Sequence, residues 1–113
     1  MLPKPHRLPS FEIRSVLRYG KRVATRELQF VYRINSTPLS RFAFIVSTGI
    51  DKRATARNRM RRLVRESVHH VLGSIKPGWD GVMVVRKILP PEFSSVDGMV
   101  QELLRRAGLL DAS

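Results

Sequence analysis

Cysteine is absent from the 113 residues, which removes disulfide staples and thiolate metal sites from consideration. Acids are scarce, with nine Asp+Glu against twenty-one Lys+Arg, so a net charge of +12 is left uncompensated. Apolar runs are only a handful of residues long, far short of the ~20 that span a bilayer. The basic start Met1-Leu2-Pro3-Lys4-Pro5-His6-Arg7 has no apolar run behind it, which argues against a secretory signal. Internal repeats and low-complexity tracts are also missing. What is present is a 42% hydrophobic content, too high for a disordered tail, on a chain sized for one domain and one modest core. The expectation is a single cytoplasmic domain over residues 1–113, with 1–9 as a basic extended arm.

A pI near 11.6 points to a polyanionic partner. Arginine supplies most of the charge, and its planar fork matches phosphate geometry better than an ammonium does. Nucleic acid, an anionic membrane and acidic proteins are the candidates, and the patterning of the chain decides among them.

Ser10 as N-cap, apolar Phe11, Val16 and Leu17, and the stop at Gly20 predict a short helix over 10–19. Alternation of Leu28, Phe30, Tyr32 and Ile34 with Gln29, Val31 and Arg33 predicts a strand within 26–35. After the turn residues Asn35 to Pro38, a second strand over 41–47 is expected antiparallel to the first. A long helix over 52–72 carries the stripe Ala56, Met60, Leu63, Val64, Ser67, Val68 and Val71, with Gly73 at its end. Residues 77–81 read as a loop, and 82–88 as a strand apolar enough to be central. Ser94 or Ser95 would cap a last helix with Val96, Met99, Val100, Leu103, Leu104 and Ala107 inward. These elements add up to an α+β fold, a small α-β sandwich in which helices cover a small sheet.

The long helix holds the functional signal. Lys52, Arg53, Arg57, Arg59, Arg61, Arg62 and Arg65 put seven cations into residues 52–65 without one acid, leaving +5 for the rest of the chain. At 100° per residue from Met60, Arg57, Arg61 and Arg65 fall at about 60°, 100° and 140°, along the margin of the apolar stripe. Asn58 sits beside them, and Arg62 and Arg59 lie on the far side. Like charges four residues apart cost roughly 0.2–0.5 kcal/mol each, and cations in a first turn oppose the helix dipole. A polyanion that releases its counterions on binding offsets such a penalty. A membrane helix would need bulky Trp, Phe or Leu on the apolar face. The Ala, Met, Leu, Val and Ser found there are sized for a protein core.

The stretch Arg57-Asn58-Arg59-Met60-Arg61-Arg62-Leu63-Val64-Arg65-Glu66 resembles the "RNR" helix of the protein subunit of bacterial ribonuclease P, and the order of elements agrees over about residues 7–107. The resemblance implies a sheet of about four strands, of the type seen in the second domain of a small-subunit ribosomal protein. It also implies a left-handed crossover through the arginine helix between two parallel strands. By the same resemblance the protein binds the catalytic RNA of ribonuclease P and the 5′ leader of precursor tRNA. Cleavage is done by the RNA with Mg2+ at the RNA active site, and the protein itself binds no cofactor and supplies no catalytic side chain. Lys52, Arg53, Arg57, Asn58, Arg59, Arg61, Arg62 and Arg65 take the RNA-binding positions. Phe11, Ile13, Leu17, Val31 and Val84 take positions at the leader cleft. The chain departs from the family at Ile13 and Leu17, where a Phe-x-x-x-Phe pair is usual, and at Val31, where a tyrosine is common. Thr48-Gly49 replaces a lysine pair, and Ala43 replaces a glycine.

No other constellation competes. His69 and His70 lack the spacing of a shared metal site. The carboxylates of Asp51, Glu66, Asp80, Glu92 and Asp97 are spread over different elements, and Asp80 reads as a turn cap. Trp79 reads as a partly buried loop residue. A ribosome-associated or other structural RNA-binding protein is the alternative function. A DNA-binding module is the third, although no helix-turn-helix partner precedes the arginine helix.

Overall fold

The computed structural model describes residues 2–111. Three helices, α1 (Ser10–Tyr19), α2 (Ala54–Val71) and α3 (Phe93–Arg106), pack on a sheet of β1 (Lys21–Ala24), β2 (Leu28–Ile34), β3 (Arg41–Val46) and β4 (Trp79–Val85). The strand order is β1-β2-β4-β3, with β3 parallel to β4 and the other pairings antiparallel. The α+β class and the size of the sheet agree with the sequence reading, and α2 does connect two parallel strands. β3 runs antiparallel to β2 as expected, but β4 lies between them. The apolar run of β4 is the reason, since only a central strand buries both of its faces.

Five local points differ from the sequence reading. β1 was not foreseen, because four residues of Lys-Arg-Val-Ala carry no period-two signal. β4 starts at Trp79 rather than 82, for two physical reasons. Gly81 leaves room for the Phe30 ring, since a Cβ there would stand 2.4 Å from Phe30 Cε1. Asp80 is neutralised by Arg41, as described below. Neither Ser94 nor Ser95 caps α3, whose N-cap is Glu92, and the cap of α1 is Pro9 rather than Ser10. Gly73 does not end the long helix, which passes at Leu72 into a 3-10 turn over Leu72–Ser74.

The core lies mainly between the sheet and the α2–α3 pair. Phe30, Phe42, Met83 and Val85 from the sheet meet Met60, Val64 and Val68 of α2 and Val96, Val100, Leu103 and Leu104 of α3. Each such side chain contributes roughly 1.5–3 kcal/mol when fully buried. Ile34, placed by alternation on this face, is 65% exposed because β2 runs past the end of the core. On the opposite face α1 sets Val16 against Val31, Ala43 and Val82, with Leu8 closing one side.

Residues 2–9 are docked rather than free. Leu2 is fully buried in the main core, Lys4–His6 form a 3-10 turn, and Arg7 bridges to Phe42 on β3. Leu8 N donates to Phe42 O at 2.9 Å, and His6 Nδ1 donates to Ser40 O at 2.7 Å.

Candidate nucleic-acid interface

The apolar stripe of α2 fixes where its cations point. Met60, Val64, Ser67 and Val68 are buried, so residues on either side of that stripe emerge at its margins. Arg57, Arg61 and Arg65 are half-buried in one row, while Asn58, Arg59 and Arg62 are exposed. For the arginines this is the division given by the helical wheel, whereas Asn58, placed by the wheel beside the half-buried row, is exposed like Arg59 and Arg62. Ser67 on the buried side spends its hydroxyl on Asp97 of α3, donating to Oδ1 at 2.6 Å.

The row is partly pre-oriented. Arg57 Nη1 donates to the carbonyls of Asp51 and Lys52, at 3.0 and 2.8 Å. Arg61 Nη1 donates to Asn58 Oδ1 at 2.5 Å, so the asparagine of the motif aims the arginine one turn on. Arg65 has its Nε buried without a hydrogen-bond partner. Arg61 and Arg65 border a cleft of about 270 Å³ whose other walls are Leu2, Arg7, Phe42 and Phe44.

The helix starts without an acid in its first turn, and Asp51 just upstream answers part of the dipole. Its Oδ1 accepts the Arg53 backbone N–H at 2.9 Å, and its carboxylate also takes the Arg53 side chain. Those hydrogen bonds hold the Asp51 carboxyl down at about 2. Lys52 is exposed beside this pair. Arg53 thus has its charge matched, whereas no salt bridge engages Lys52, Arg57, Arg59, Arg61, Arg62 or Arg65 among the described residues.

The residues assigned to a leader cleft fall on the other face of the sheet, and they are not equivalent. Ile13 and Leu17 of α1 and Val84 of β4 are half-buried and join Ile45 around the rim of the small core. Val31 is fully buried beneath them, so it supports this floor and offers no surface of its own. Phe11 is 82% exposed at the start of α1, an aromatic ring given to solvent.

An ion network that sequence reasoning missed secures α1. Asp80, 6% exposed, accepts Arg41 Nε at 2.9 Å and Nη2 at 2.8 Å, and Asn35 Nδ2 at 2.8 Å. Arg41 Nη1 reaches Glu12 of α1 at 2.9 Å. The bonds to Asp80, and secondarily to Glu12, outweigh desolvation and raise the Arg41 pKa beyond its ordinary value. Asp80 is therefore the buried anchor of a bidentate pair, not a turn cap. Its signal lay in the registration of Arg41 opposite Asp80, which needs the strand order to be seen. Trp79 lies in the same strand, half-buried, with its ring 5.8 Å from that of Tyr32.

Among the described residues no group of His, Cys, Asp and Glu is arranged to hold a metal ion, and no helix is long and apolar enough to cross a membrane.

Known proteins resemble this chain in sequence and fold. The profile of the ribonuclease P protein family matches residues 2–108. A ribonuclease P protein component from a Roseiflexus species is 41% identical over 81 residues, covering 70% of this chain and 66% of the relative. That from Synechococcus elongatus is 30% identical over 116 residues, covering 96% and 95%. The ribonuclease P protein of Thermotoga maritima superposes with a TM-score of 0.80 at 28% identity, covering 88% of this chain and 96% of that one. The Staphylococcus aureus protein, 19% identical with a TM-score of 0.81, shares the fold. The arginine helix on its mixed sheet thus has its counterparts in one family, and the chain belongs to the ribonuclease P proteins.

Proposed function

We propose that the chain is the cytoplasmic protein subunit of ribonuclease P, and that it binds both the catalytic RNA and the 5′ leader of precursor tRNA. The observation that carries this reading is the run of cations on α2 left without acidic partners, on the fold of a family defined by an RNA-processing ribonucleoprotein. In this reading Lys52, Arg53, Arg59 and Arg62 meet RNA phosphates, and Arg57, Asn58, Arg61 and Arg65 form the side turned toward substrate. The leader lies on the apolar floor of Ile13, Leu17 and Val84, supported from below by Val31. Phe11 takes over base stacking from the missing aromatic pair, an interaction worth ~1–3 kcal/mol per base.

The protein's contribution is binding energy and charge neutralisation. Hydrolysis of the phosphodiester and the Mg2+ ions belong to the RNA. Cations placed on the substrate's phosphates stand in for part of the divalent ion otherwise needed to screen two RNAs from each other. Reconstitution tests this: the protein is added to ribonuclease P RNA and precursor tRNA at low magnesium. Cleavage should rise over the RNA alone, and the rise should shrink when Arg61→Ala and Arg62→Ala are combined. No gain on adding the intact protein rejects the proposal.

A further inference from the structure

A second line of cations lies on the α1 side of the sheet, away from α2. Arg14, Arg18 and Arg22 recur at four-residue intervals, the same spacing as Arg57, Arg61 and Arg65. Arg14 and Arg18 are exposed one turn apart on α1, and Arg22 follows on β1 with its guanidinium turned back to donate to the Leu17 carbonyl. Lys21 and Arg33 are exposed on the neighbouring strands. The surface is organised around Tyr19, which is 61% exposed. Arg18 and Arg33 each hold the guanidinium carbon 5.3 Å from the Tyr19 ring centroid, and Arg33 Nη1 also donates to Ser15 Oγ at 2.9 Å.

Among the described residues no salt bridge answers these charges. Between residues 10 and 34 the only carboxylates are Glu12 and Glu27. Glu12 is paired to Arg41, and Glu27 lies at the opposite end of the β1–β2 hairpin, where its carbonyl accepts Arg86 N. Helix electrostatics explain Arg18 and Arg22, which sit at the negative end of the α1 dipole. They do not explain Arg14 or Arg33.

We infer that the Arg14–Arg18–Arg33 surface around Tyr19 is a further RNA contact, distinct from α2 and from the leader floor, one that grips the phosphodiester backbone of a helical RNA stem without reading its sequence. The ring of Tyr19 is already engaged by cations, so it orders guanidiniums rather than offering a face to a base. A guanidinium stacked on a ring keeps its in-plane N–H edge free for bidentate contact with phosphate. The sheet separates this surface from α2, so the chain can hold a helical stem here and the RNA met by α2 at a fixed spacing. The inference rests on the chain being an RNA-binding protein, a reading judged separately by the low-magnesium cleavage experiment.

The test measures affinity for a short RNA duplex of arbitrary sequence against salt, in the intact chain and in one carrying Arg59→Ala, Arg61→Ala and Arg62→Ala. Into each, Arg14→Ala, Arg18→Ala and Arg33→Ala are introduced together. Three lost phosphate contacts should lower the log–log salt slope by about 2–3, so that the affinity lost between ~50 and ~200 mM salt shrinks by about 40-fold. That change should appear in both backgrounds. Tyr19→Ala should weaken binding several-fold with the slope unchanged, because every charge remains. Arg14→Lys, Arg18→Lys and Arg33→Lys together should retain the slope while losing affinity. These residues are exposed, so the thermal midpoint serves as the folding control. A slope unmoved by the alanine triple in either background overturns the inference. So does a triple that releases the chain from anionic phospholipid vesicles while leaving its RNA binding intact.

Discussion

Among the described residues, nineteen buried side chains join α2 and α3 to the strands on one face of the sheet; on the other, α1 belongs to a cluster of five. The deficit on the α1 side is made up by polar bonds, with Arg41 tying Glu12 to the buried Asp80. The α2 face is therefore held by non-directional apolar burial, which leaves its outer surface free to carry unmatched charge. The α1 face is held by directional bonds whose geometry sets where the helix lies over the apolar floor. A substitution can thus loosen one face without unfolding the other, and the comparison can be broken from either side.

The largest effect belongs to the apolar face. Phe30 is fully buried and packs against Tyr32 and Phe42, so Phe30→Ala should cost about 3–5 kcal/mol in denaturant unfolding. A change under 1 kcal/mol would mean that the two faces do not differ as described. Asp80→Asn comes next. It leaves Arg41 without its bidentate partner and should cost about 2–3 kcal/mol, with amide exchange quickening in α1 more than in α2. Equal quickening in both helices would refute a local latch.

On the charged surface, Arg61→Ala should leave stability near wild type and reduce the salt slope of RNA binding by about 0.7–0.9, one phosphate's share. An unchanged slope would show that Arg61 does not touch phosphate. The smallest effect is acid-dependent. The Asp51 carboxyl is lowered from 3.8 to about 2, so its support of the α2 start is complete above the ordinary value and is lost as pH falls through about 2. Fraying of the first turn of α2 by circular dichroism should follow that window, and Asp51→Asn should remove the pH dependence.

Residue patterns reveal the α2 face almost completely and the α1 face poorly. The stripe of Met60, Val64 and Val68 and the marginal row of Arg57, Arg61 and Arg65 follow from a 3.6-residue period acting within one element. The Asp80–Arg41–Glu12 network joins three elements, and none of its members has a partner within reach along the chain. Gly81 and Asp80 likewise read as a turn until the Phe30 ring is laid over the one and Arg41 is brought opposite the other. The burial of Val31 under α1 also depends on where that helix docks, which its own sequence does not specify.

The docked arm has a consequence for how the chain behaves in a crowded solution. β3 is an outer strand of the sheet, and its free side would otherwise show unpaired N–H and C=O groups to any passing strand. The bridge from Arg7 to Phe42 and the bond from Leu8 N to Phe42 O occupy part of that side, with the basic groups of Lys4 and Arg7 beside it. Edge-to-edge stacking of copies is thereby blocked by backbone as well as by charge. That safeguard persists when bound RNA has neutralised the repulsion that keeps such cationic chains apart.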